Sequence, residues 1–248
     1  MLYVLLATYN ESENIGAVIY HIAMTCKNVH FILVDDSERG TTVMEAKTAF
    51  EALKVPHSIF HNRLKGGLGN AYHQGNDEIQ RLRAIQRSTD DAVAVCDCDL
   101  SHDPHDVARL SALCKDGVMV ACGTRYARGG AVAGWPTRRV IISTIANGLA
   151  RLILGLRTTD CTGSLRVYNA DAFNHLIAQT KAPGFAVQLE LIARAEFAGL
   201  HTVELPICFT ERVRGTSSFC RREAWAFLQT LGYVWLQRWM PRERFASL

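Results

Sequence analysis

Strand-like and helix-like segments alternate along the first half of the chain, and this alternation constrains the fold more than any other feature. Short apolar runs are each followed by a segment whose apolar residues recur at helical spacing. The predicted strands are 2–8, 30–36, 57–61, 92–97 and 118–124, and the predicted helices are 13–26, 41–53, 70–87 and 104–115. This βαβα order predicts an α/β fold, a mostly parallel sheet with helices on both faces.

Ligands of such sheets bind beyond the carboxyl ends of the strands, and the polar motifs of this chain follow those ends. The most informative motif is Asp97-Cys98-Asp99, directly after the fourth apolar run. Two carboxylates one residue apart suit a hard divalent cation such as Mg²⁺ or Mn²⁺, which prefers oxygen ligands. Held against a diphosphate, that cation would serve a nucleotide-sugar transferase. The alternative is a solvated acidic turn that caps the helix beginning at Pro104.

Composition allows one large α/β domain with a full core. The chain has 248 residues, of which 48% are hydrophobic, and its mean hydropathy is +0.03. Its eight cysteines include no Cys-x-x-Cys pair, so we expect neither disulfides nor structural zinc. We read no secretory signal at the start and expect a reduced compartment. A net charge of +3 is too small for nucleic acid to be the main partner.

Two later segments carry apolar residues at helical spacing. The first, 137–156, has Arg138, Arg139 and Ser143 near its start, where free backbone N–H groups favour an anion. The second, 223–240, holds three tryptophans and is too short and too polar to cross a bilayer. Each is interpreted either as a contact with a membrane interface or partner, or as ordinary packing onto the domain. A flexible loop is predicted ahead of the first segment from Gly129, Gly130, Gly134 and Pro136.

Seven motifs follow one another in an order that is similar to a known family. They are Ala7-Thr8-Tyr9-Asn10-Glu11, Val34-Asp35-Asp36, the glycine-rich stretch 63–72, Asp97-Cys98-Asp99-Leu100-Ser101-His102, Gly123-Thr124-Arg125-Tyr126, Cys161-Thr162-Gly163-Ser164-Leu165-Arg166 and Glu211-Arg212-Val213. Together they resemble the inverting, metal-dependent family 2 glycosyltransferases, and within these the dolichol-phosphate (polyprenyl-phosphate) mannosyltransferase type. The resemblance runs from 7 to about 219. It implies a GT-A-like catalytic domain over 1–219, with an acceptor-side helix at 137–156, and a C-terminal amphipathic helix over 220–248 that contacts a membrane or partner.

The resemblance also implies a role for each motif residue. Nucleotide binding falls to Ala7, Tyr9, Glu11, Asp36, Lys65 and Asp97. The implied metal ligands, for Mg²⁺ or Mn²⁺, are Asp97, Asp99 and Ser101. The acceptor phosphate would be held by Arg125, Arg139, Ser143 and Arg212, and the catalytic set is Asp99, Arg125, Arg139 and Arg212. Arginine suits a phosphate because its donors form a fixed fork.

The activity that the resemblance implies is transfer of mannose from GDP-mannose to a polyprenyl phosphate with inversion. A phosphate monoester is already anionic near neutral pH, so it attacks without a general base, unlike a sugar hydroxyl. The implied partners are the nucleotide sugar, the lipid, a membrane surface and a small membrane anchor protein. The expected location is cytoplasmic, peripherally associated with the cytoplasmic face of a membrane.

Three alternatives stay open. The loop after Asp36 is one residue shorter than the family pattern and lacks its glycine, so another nucleotide sugar such as UDP-glucose is one alternative. Another acceptor is the second. The third is a catalytically silent sugar-nucleotide-binding protein, which would have no chemical need for the aspartate pair and the arginines.

Overall fold

A computed structural model describes residues 1–87, 90–212 and 221–238. Its strands are β1 (Leu2–Thr8), β2 (Val29–Asp35), β3 (His57–His61), β4 (Ala92–Val95), β5 (Val120–Thr124), β6 (Ala131–Ala133), β7 (Arg166–Asn169), β8 (Thr202–Pro206) and β9 (Cys208–Thr210). Its helices are α1 (Ile15–Thr25), α2 (Thr41–Leu53), α3 (Leu68–Gln86), α4 (Pro104–Leu113), α5 (Thr137–Leu154), α6 (Ala170–Gln179), α7 (Val187–Phe197) and α8 (Arg221–Gln237), with a short 3-10 helix at Gly184–Ala186.

The described residues form one seven-stranded sheet in the order β3-β2-β1-β4-β7-β5-β8. The pairs β1–β2, β1–β4, β2–β3 and β5–β8 are parallel. Central strand β1 is apolar on both faces because both are covered. Tyr3 and Leu5 pack with α3, α6 and α7, whereas Val4 and Leu6 pack with α1, α2 and α4. The predicted mostly parallel sheet with helices on both faces is confirmed.

Antiparallel strand β7, between β4 and β5, was not among the predicted strands. Its four residues begin with an arginine and end with an asparagine, which gives no apolar run to detect. The Arg166 side chain is fully buried, and it donates hydrogen bonds to the main-chain oxygens of Cys161 and Gln188. The folded chain therefore supplies hydrogen-bond acceptors to a charged side chain that the local sequence would place at the surface.

Strands β1, β2, β4 and β5 point the same way, so their carboxyl ends lie at one edge of the sheet. β1 and β2 end in register, with Thr8 opposite Asp35. β4 ends earlier, with Val95 opposite Leu5. The motif residues that follow these strands therefore emerge at one edge, as an open parallel sheet requires of a ligand site.

Most predicted elements lie within three residues of their predicted bounds, and two predictions need correction. The strand predicted to reach residue 97 ends at Val95, which leaves Asp97 in the following loop. The segment 129–136 is not only a loop, because its residues Ala131–Ala133 form β6 and pair in parallel with β9. The predicted boundary at 219/220, Trp239 and the rest of the chain to 248 lie outside the described residues.

Helices α5 and α8 lie side by side and expose apolar side chains. Arg238, just beyond α8, donates from Nη1 to the carbonyl oxygen of Leu154 at 3.0 Å. The exposed side chains, called the apolar face below, are Ile141, Ile142, Ile145, Leu149, Leu152 and Ile153 of α5 and Trp225, Leu228, Trp235 and Leu236 of α8.

The two helices differ in how they meet the domain. In α5 only Asn147, Ala150 and Leu154 are buried. Of the predicted apolar stripe only Leu156, just beyond the helix, is buried in the core, so core packing accounts for the end of the stripe and not for its exposed part. In α8 Leu231 and Val234 are buried, so this helix packs on one side and exposes tryptophans on another. No helix within the described ranges is long and apolar enough to cross a bilayer.

Candidate active site

The loop after β4 presents the paired aspartates. Leu100 adopts a left-handed conformation with φ of 61°, which is costly for a leucine and is typical of functional loops. The turn brings the Ser101 N–H within 3.1 Å of Asp99 Oδ1, and the Ser101 hydroxyl donates to the same oxygen. Asp99 Oδ2 lies 3.1 Å from Arg212 Nη2. Asp99 is thus buried and held on both oxygens.

Asp97 is the more accessible of the pair, with 31% of its side chain exposed. His102 Nε2 lies 3.4 Å from Asp97 Oδ2 and 3.0 Å from Ser164 Oγ. Burial opposes ionisation of Asp97, but the hydrogen bond and charge of His102 hold its pKa below the usual value. The carboxylate is therefore ionised at neutral pH, the state in which it can bind a cation.

The oxygen donors of this loop fit Mg²⁺ or Mn²⁺. Across the described ranges, no three His, Cys, Asp or Glu side chains come together as a metal cluster. A magnesium ion that serves a nucleotide is ordinarily bound by one or two carboxylates, with substrate phosphates and water completing its shell. Asp97 and Asp99 match that donor set, whereas a site built from protein ligands alone would need more. Ser101 directs its hydroxyl at Asp99, so its predicted role as a ligand stays a prediction.

Residues predicted to bind the nucleotide line the edge next to the aspartates. Asp36 Oδ2 accepts hydrogen bonds from the backbone N–H groups of Gly66 and Gly67, at 2.9 and 2.8 Å. Gly67 has φ of 84°, a backbone conformation that favours glycine. Lys65 Nζ lies 3.9 Å from the centroid of the Tyr9 ring, a cation–π contact. Asp36 thus anchors the glycine-rich loop that carries Lys65.

Glu11 and Ala7 complete this part of the site. The Glu11 N–H donates to Thr42 Oγ1 at 3.1 Å, and Asn14 Nδ2 donates to Glu11 Oε2 at 2.9 Å. Burial raises the pKa of Glu11 above its ordinary value, and the negative charges of the nearby aspartates add to this shift. Ala7 lies near the end of β1, opposite Val34 in β2. Both side chains therefore sit at the predicted edge.

The first of the predicted acceptor arginines, Arg125, follows β5 and is buried against Asp160. Its Nε and Nη2 atoms donate to the two carboxylate oxygens of Asp160, each at 2.7 Å. Burial opposes ionisation of Asp160, but Arg125 keeps its pKa below the ordinary value. Asp160 also accepts from the N–H of Gly163 at 2.9 Å, and so orders the turn after it.

Asp160 was missed by the sequence analysis. It stands directly before Cys161, the first residue of a quoted motif, and that position was its only signal. From sequence alone, an aspartate in a loop is interpreted as a solvated turn residue. Only the fold shows that its partner is Arg125, 35 residues away.

Arg139 and Ser143 lie one turn apart at the start of α5. Arg139 Nη1 donates to both Glu211 oxygens, at 2.9 and 3.0 Å, and the Tyr126 hydroxyl lies 2.6 Å from Ser143 Oγ. Glu211 precedes Arg212, the partner of Asp99. The short segment after β9 therefore links the arginine group to the loop that carries Asp97 and Asp99.

The structure brings most predicted site residues together. Asp99, Ser101 and Arg212 form one contacting group, and Arg125 and Ser143 meet through Thr162 and Asn147. In that second group, Thr162 Oγ1 accepts from Arg125 Nη2 at 2.9 Å and from Asn147 Nδ2 at 3.0 Å. Within the described part of the chain, no hydrogen bond joins the pair of Tyr9 and Lys65 to the arginines. Glu11 is close enough to Asp97, Asp99 and Arg212 for their charges to act on its carboxyl, so the nucleotide side meets the arginine side at the aspartate loop.

Comparison with known proteins identifies the family. The family described as "Glycosyl transferase family 2" matches residues 3–177. A protein of Mycolicibacterium smegmatis named "Polyprenol monophosphomannose synthase" is 34% identical over 217 residues, covering 86% of this chain and 79% of that protein. A protein of Micrococcus luteus named "Undecaprenyl-phosphate mannosyltransferase" is 31% identical over 215 residues, covering 86% and 85%.

Comparison with solved structures supports the same fold. Glucosyl-3-phosphoglycerate synthase from Mycobacterium tuberculosis, crystallised with Mn²⁺, UDP and glucosyl-3-phosphoglycerate, superposes with a TM-score of 0.61. The two chains are 18% identical, and the match covers 98% of this chain and 81% of that one. At that identity the likeness shows the fold alone, and it confirms the predicted GT-A-like architecture. With the family match above, it confirms the resemblance seen in the motifs: the chain is a glycosyltransferase and belongs to glycosyl transferase family 2.

Proposed function

We propose that this glycosyltransferase transfers mannose from GDP-mannose to a polyprenyl phosphate with inversion of the anomeric configuration. The observation that carries the proposal is the 3.1 Å contact between Asp99 and Arg212, because it joins the aspartate loop and the arginine group in one site. The names of the two relatives, a polyprenol monophosphomannose synthase and an undecaprenyl-phosphate mannosyltransferase, support the choice of sugar and acceptor.

On the donor side, Ala7, Tyr9, Glu11, Asp36 and Lys65 would bind the nucleotide. The Glu11 carboxylate can accept hydrogen bonds from a base edge, and the Lys65 ammonium supplies positive charge near the diphosphate. A divalent cation held by Asp97 and Asp99, with Ser101 as the third predicted ligand, would act as a Lewis acid on the departing diphosphate. Ser101 and Arg212 hold the Asp99 carboxylate in one orientation for this task.

On the acceptor side, Arg125, Arg139, Ser143 and Arg212 would gather the lipid phosphate. The phosphate oxygen attacks the anomeric carbon from the face opposite the diphosphate, and the bond from that carbon to the diphosphate breaks. No general base is required, since the acceptor is already ionised. The arginines offset the repulsion between two anions and hold the attacking oxygen in place.

The apolar face provides a route to the lipid. Removing a polyprenyl tail from the bilayer costs about 0.8 kcal/mol per CH₂, so the enzyme must reach the lipid at the membrane. Arg139 and Ser143 are on the same helix as Ile141, Ile142 and Ile145, which are exposed. This arrangement supports a phosphate site that lies beside a surface suited to the membrane interface. We propose peripheral association with the cytoplasmic face of a membrane, with a small anchor protein as the alternative occupant of this face.

A transfer assay tests the proposal. Purified protein would be incubated with Mg²⁺ or Mn²⁺, a short-chain polyprenyl phosphate and either labelled GDP-mannose or labelled UDP-glucose. Lipid-linked mannose formed only from GDP-mannose is the expected result. Product from UDP-glucose would reassign the donor, and nucleotide binding without any product would favour the silent sugar-nucleotide-binding protein.

A further inference from the structure

Trp135, between β6 and α5, touches two of the acceptor-side arginines. Its ring centroid is 3.8 Å from Arg139 Cζ and 5.4 Å from Arg125 Cζ. Phe209 of β9 packs edge-on against the indole, with ring centroids 5.2 Å apart. The guanidinium of Arg139 is thus held on an aromatic face as well as by Glu211, through cation–π attraction.

The same aromatic packing continues to the aspartate loop. Phe209 also packs edge-on against the ring of His102, with centroids 5.0 Å apart. His102 in turn contacts Asp97. Trp135 therefore belongs to a continuous set of contacts that runs from Arg139 through Phe209 and His102 to Asp97.

The indole N–H of Trp135 points to a ligand. Its nitrogen is buried and has no hydrogen-bond partner among the residues that the structure describes. A buried donor without an acceptor is unfavourable, and phenylalanine would offer a ring for the same contacts without this cost. The donor is beside two guanidinium groups, so the missing acceptor is an anion. A hydrogen bond to an anionic oxygen is of the strong, charge-assisted kind.

We propose that Trp135 is a further residue of the acceptor site, whose ring positions Arg139 and whose indole N–H donates to the anionic phosphate of the acceptor. The proposal rests on the proposed function above. Arg139 lies over the ring and binds Glu211 through Nη1. An anion that binds Arg139 beside this ring would supply an acceptor for the indole N–H.

Two variants separate the ring from the hydrogen bond. Trp135→Leu removes both, whereas Trp135→Phe keeps a ring and removes the N–H. The matched control is Tyr20→Leu, an exposed aromatic residue on α1. Binding of geranyl phosphate to each full-length protein is measured by calorimetry, with geraniol as the ligand that lacks the phosphate. The KM for a short polyprenyl phosphate and the KM for GDP-mannose are measured in parallel.

We expect Trp135→Leu to weaken geranyl phosphate binding and raise the acceptor KM about 30-fold, and Trp135→Phe to do so about 5-fold. The donor KM, geraniol binding and the Tyr20→Leu protein should stay near wild type. Wild-type affinity in the Phe variant would overturn the hydrogen bond, and wild-type affinity in the Leu variant would overturn the whole proposal. If the Leu variant fails to fold, the Phe variant still decides.

The outcome is distinguishable from failure of the proposed function. Suppose that the wild type binds geranyl phosphate, the Trp135→Phe variant binds it more weakly, and the wild type transfers no mannose. This result would support the anion site and count against the proposed reaction. Mannose transfer by the wild type, with unchanged geranyl phosphate affinity in both variants, would support the proposed reaction and count against the anion site. A wild-type protein that neither binds geranyl phosphate nor transfers mannose would overturn both.

Discussion

The two sides of the active site are assembled in different ways. On the donor side, the carboxylates lie in the loops that follow β1, β2 and β4. Both near and distant residues hold them: Ser101 donates to Asp99 across two residues, and Gly66 donates to Asp36 across 30. On the acceptor side, each arginine meets a carboxylate far along the chain, 35 residues away for Arg125 and 72 for Arg139. The donor-side carboxylates can be located from their positions after strands, whereas the partners of the acceptor-side arginines are set only by the folded chain.

Under the proposed function, the difference follows from the charges that each side would bind. Carboxylates that share a cation need only be close together, which one short loop achieves. Arginines that gather a phosphate must be kept from repelling one another before it arrives, and the partner carboxylates Asp160, Glu211 and Asp99 provide this compensation. The arginine side also borders the apolar face, so it is the side suited to a lipid.

The largest effect is expected on the donor side, from Asp99→Ala. Loss of a cation ligand removes several kcal/mol of charge stabilisation from the departing diphosphate, so transfer should fall by about 10³-fold or more. Mn²⁺ binding in the presence of GDP, measured by calorimetry, should weaken in parallel. Asp77→Ala, at an exposed aspartate of α3, is the matched control. Full activity in the Asp99 variant would remove the metal assignment.

The next effect tests the acceptor side, through Arg139→Ala. Loss of a charge-assisted pair to the lipid phosphate should raise the acceptor KM about 10–100-fold and leave the donor KM unchanged. Steady-state kinetics with varied polyprenyl phosphate measures it, with Arg157→Ala, at an exposed arginine, as the control. An unchanged acceptor KM would mean that Arg139 serves only its pair with Glu211.

A third prediction asks whether the apolar face binds membrane. Leu152 of α5 is 81% exposed, and a charge there should weaken binding to anionic phospholipid vesicles about 10-fold, because an apolar side chain would no longer enter the interface. Ile85→Glu on α3, at a side chain that is 66% exposed, is the control for Leu152→Glu. Equal losses of vesicle binding in both variants would refute the proposal that the apolar face binds the membrane. Binding of the wild type only after a small membrane protein is added would favour the anchor protein.

The smallest effect concerns the pH dependence of the Arg125–Asp160 pair. Arg125 keeps the pKa of Asp160 below its ordinary value despite burial, so the pair stabilises the fold above about pH 4 and loses this contribution as the pH falls through the folded-state pKa. We expect a loss of about 1 kcal/mol in unfolding free energy between pH 5 and pH 3 that Asp160→Asn lacks. Denaturant unfolding at each pH measures it, and Asp116→Asn, at an exposed aspartate, should keep the wild-type slope. Parallel slopes in wild type and Asp160→Asn would contradict it.

Much of this protein can be predicted from its sequence, because the signals are local. The period of the apolar residues determines helix or strand, and the fold class follows from their order along the chain. The carboxylates that follow strands, such as Asp36 and Asp97, are visible for the same reason. The predictions fail mainly where an element ends at polar residues or consists largely of them. Strand β7, which begins with the buried Arg166, is an example of the second case.

Only the tertiary structure decided the partners of the arginines and the fate of the α5 stripe. Asp160 and Glu211 were in or beside a motif, and Trp135 lay in the predicted loop. A contact across tens of residues depends on how strands are ordered in the sheet, which no local pattern encodes. A stripe at helical spacing likewise predicts a helix without saying what covers it. Its exposure in α5 follows from where the helix lies on the domain, and that position depends on the packing of the whole chain.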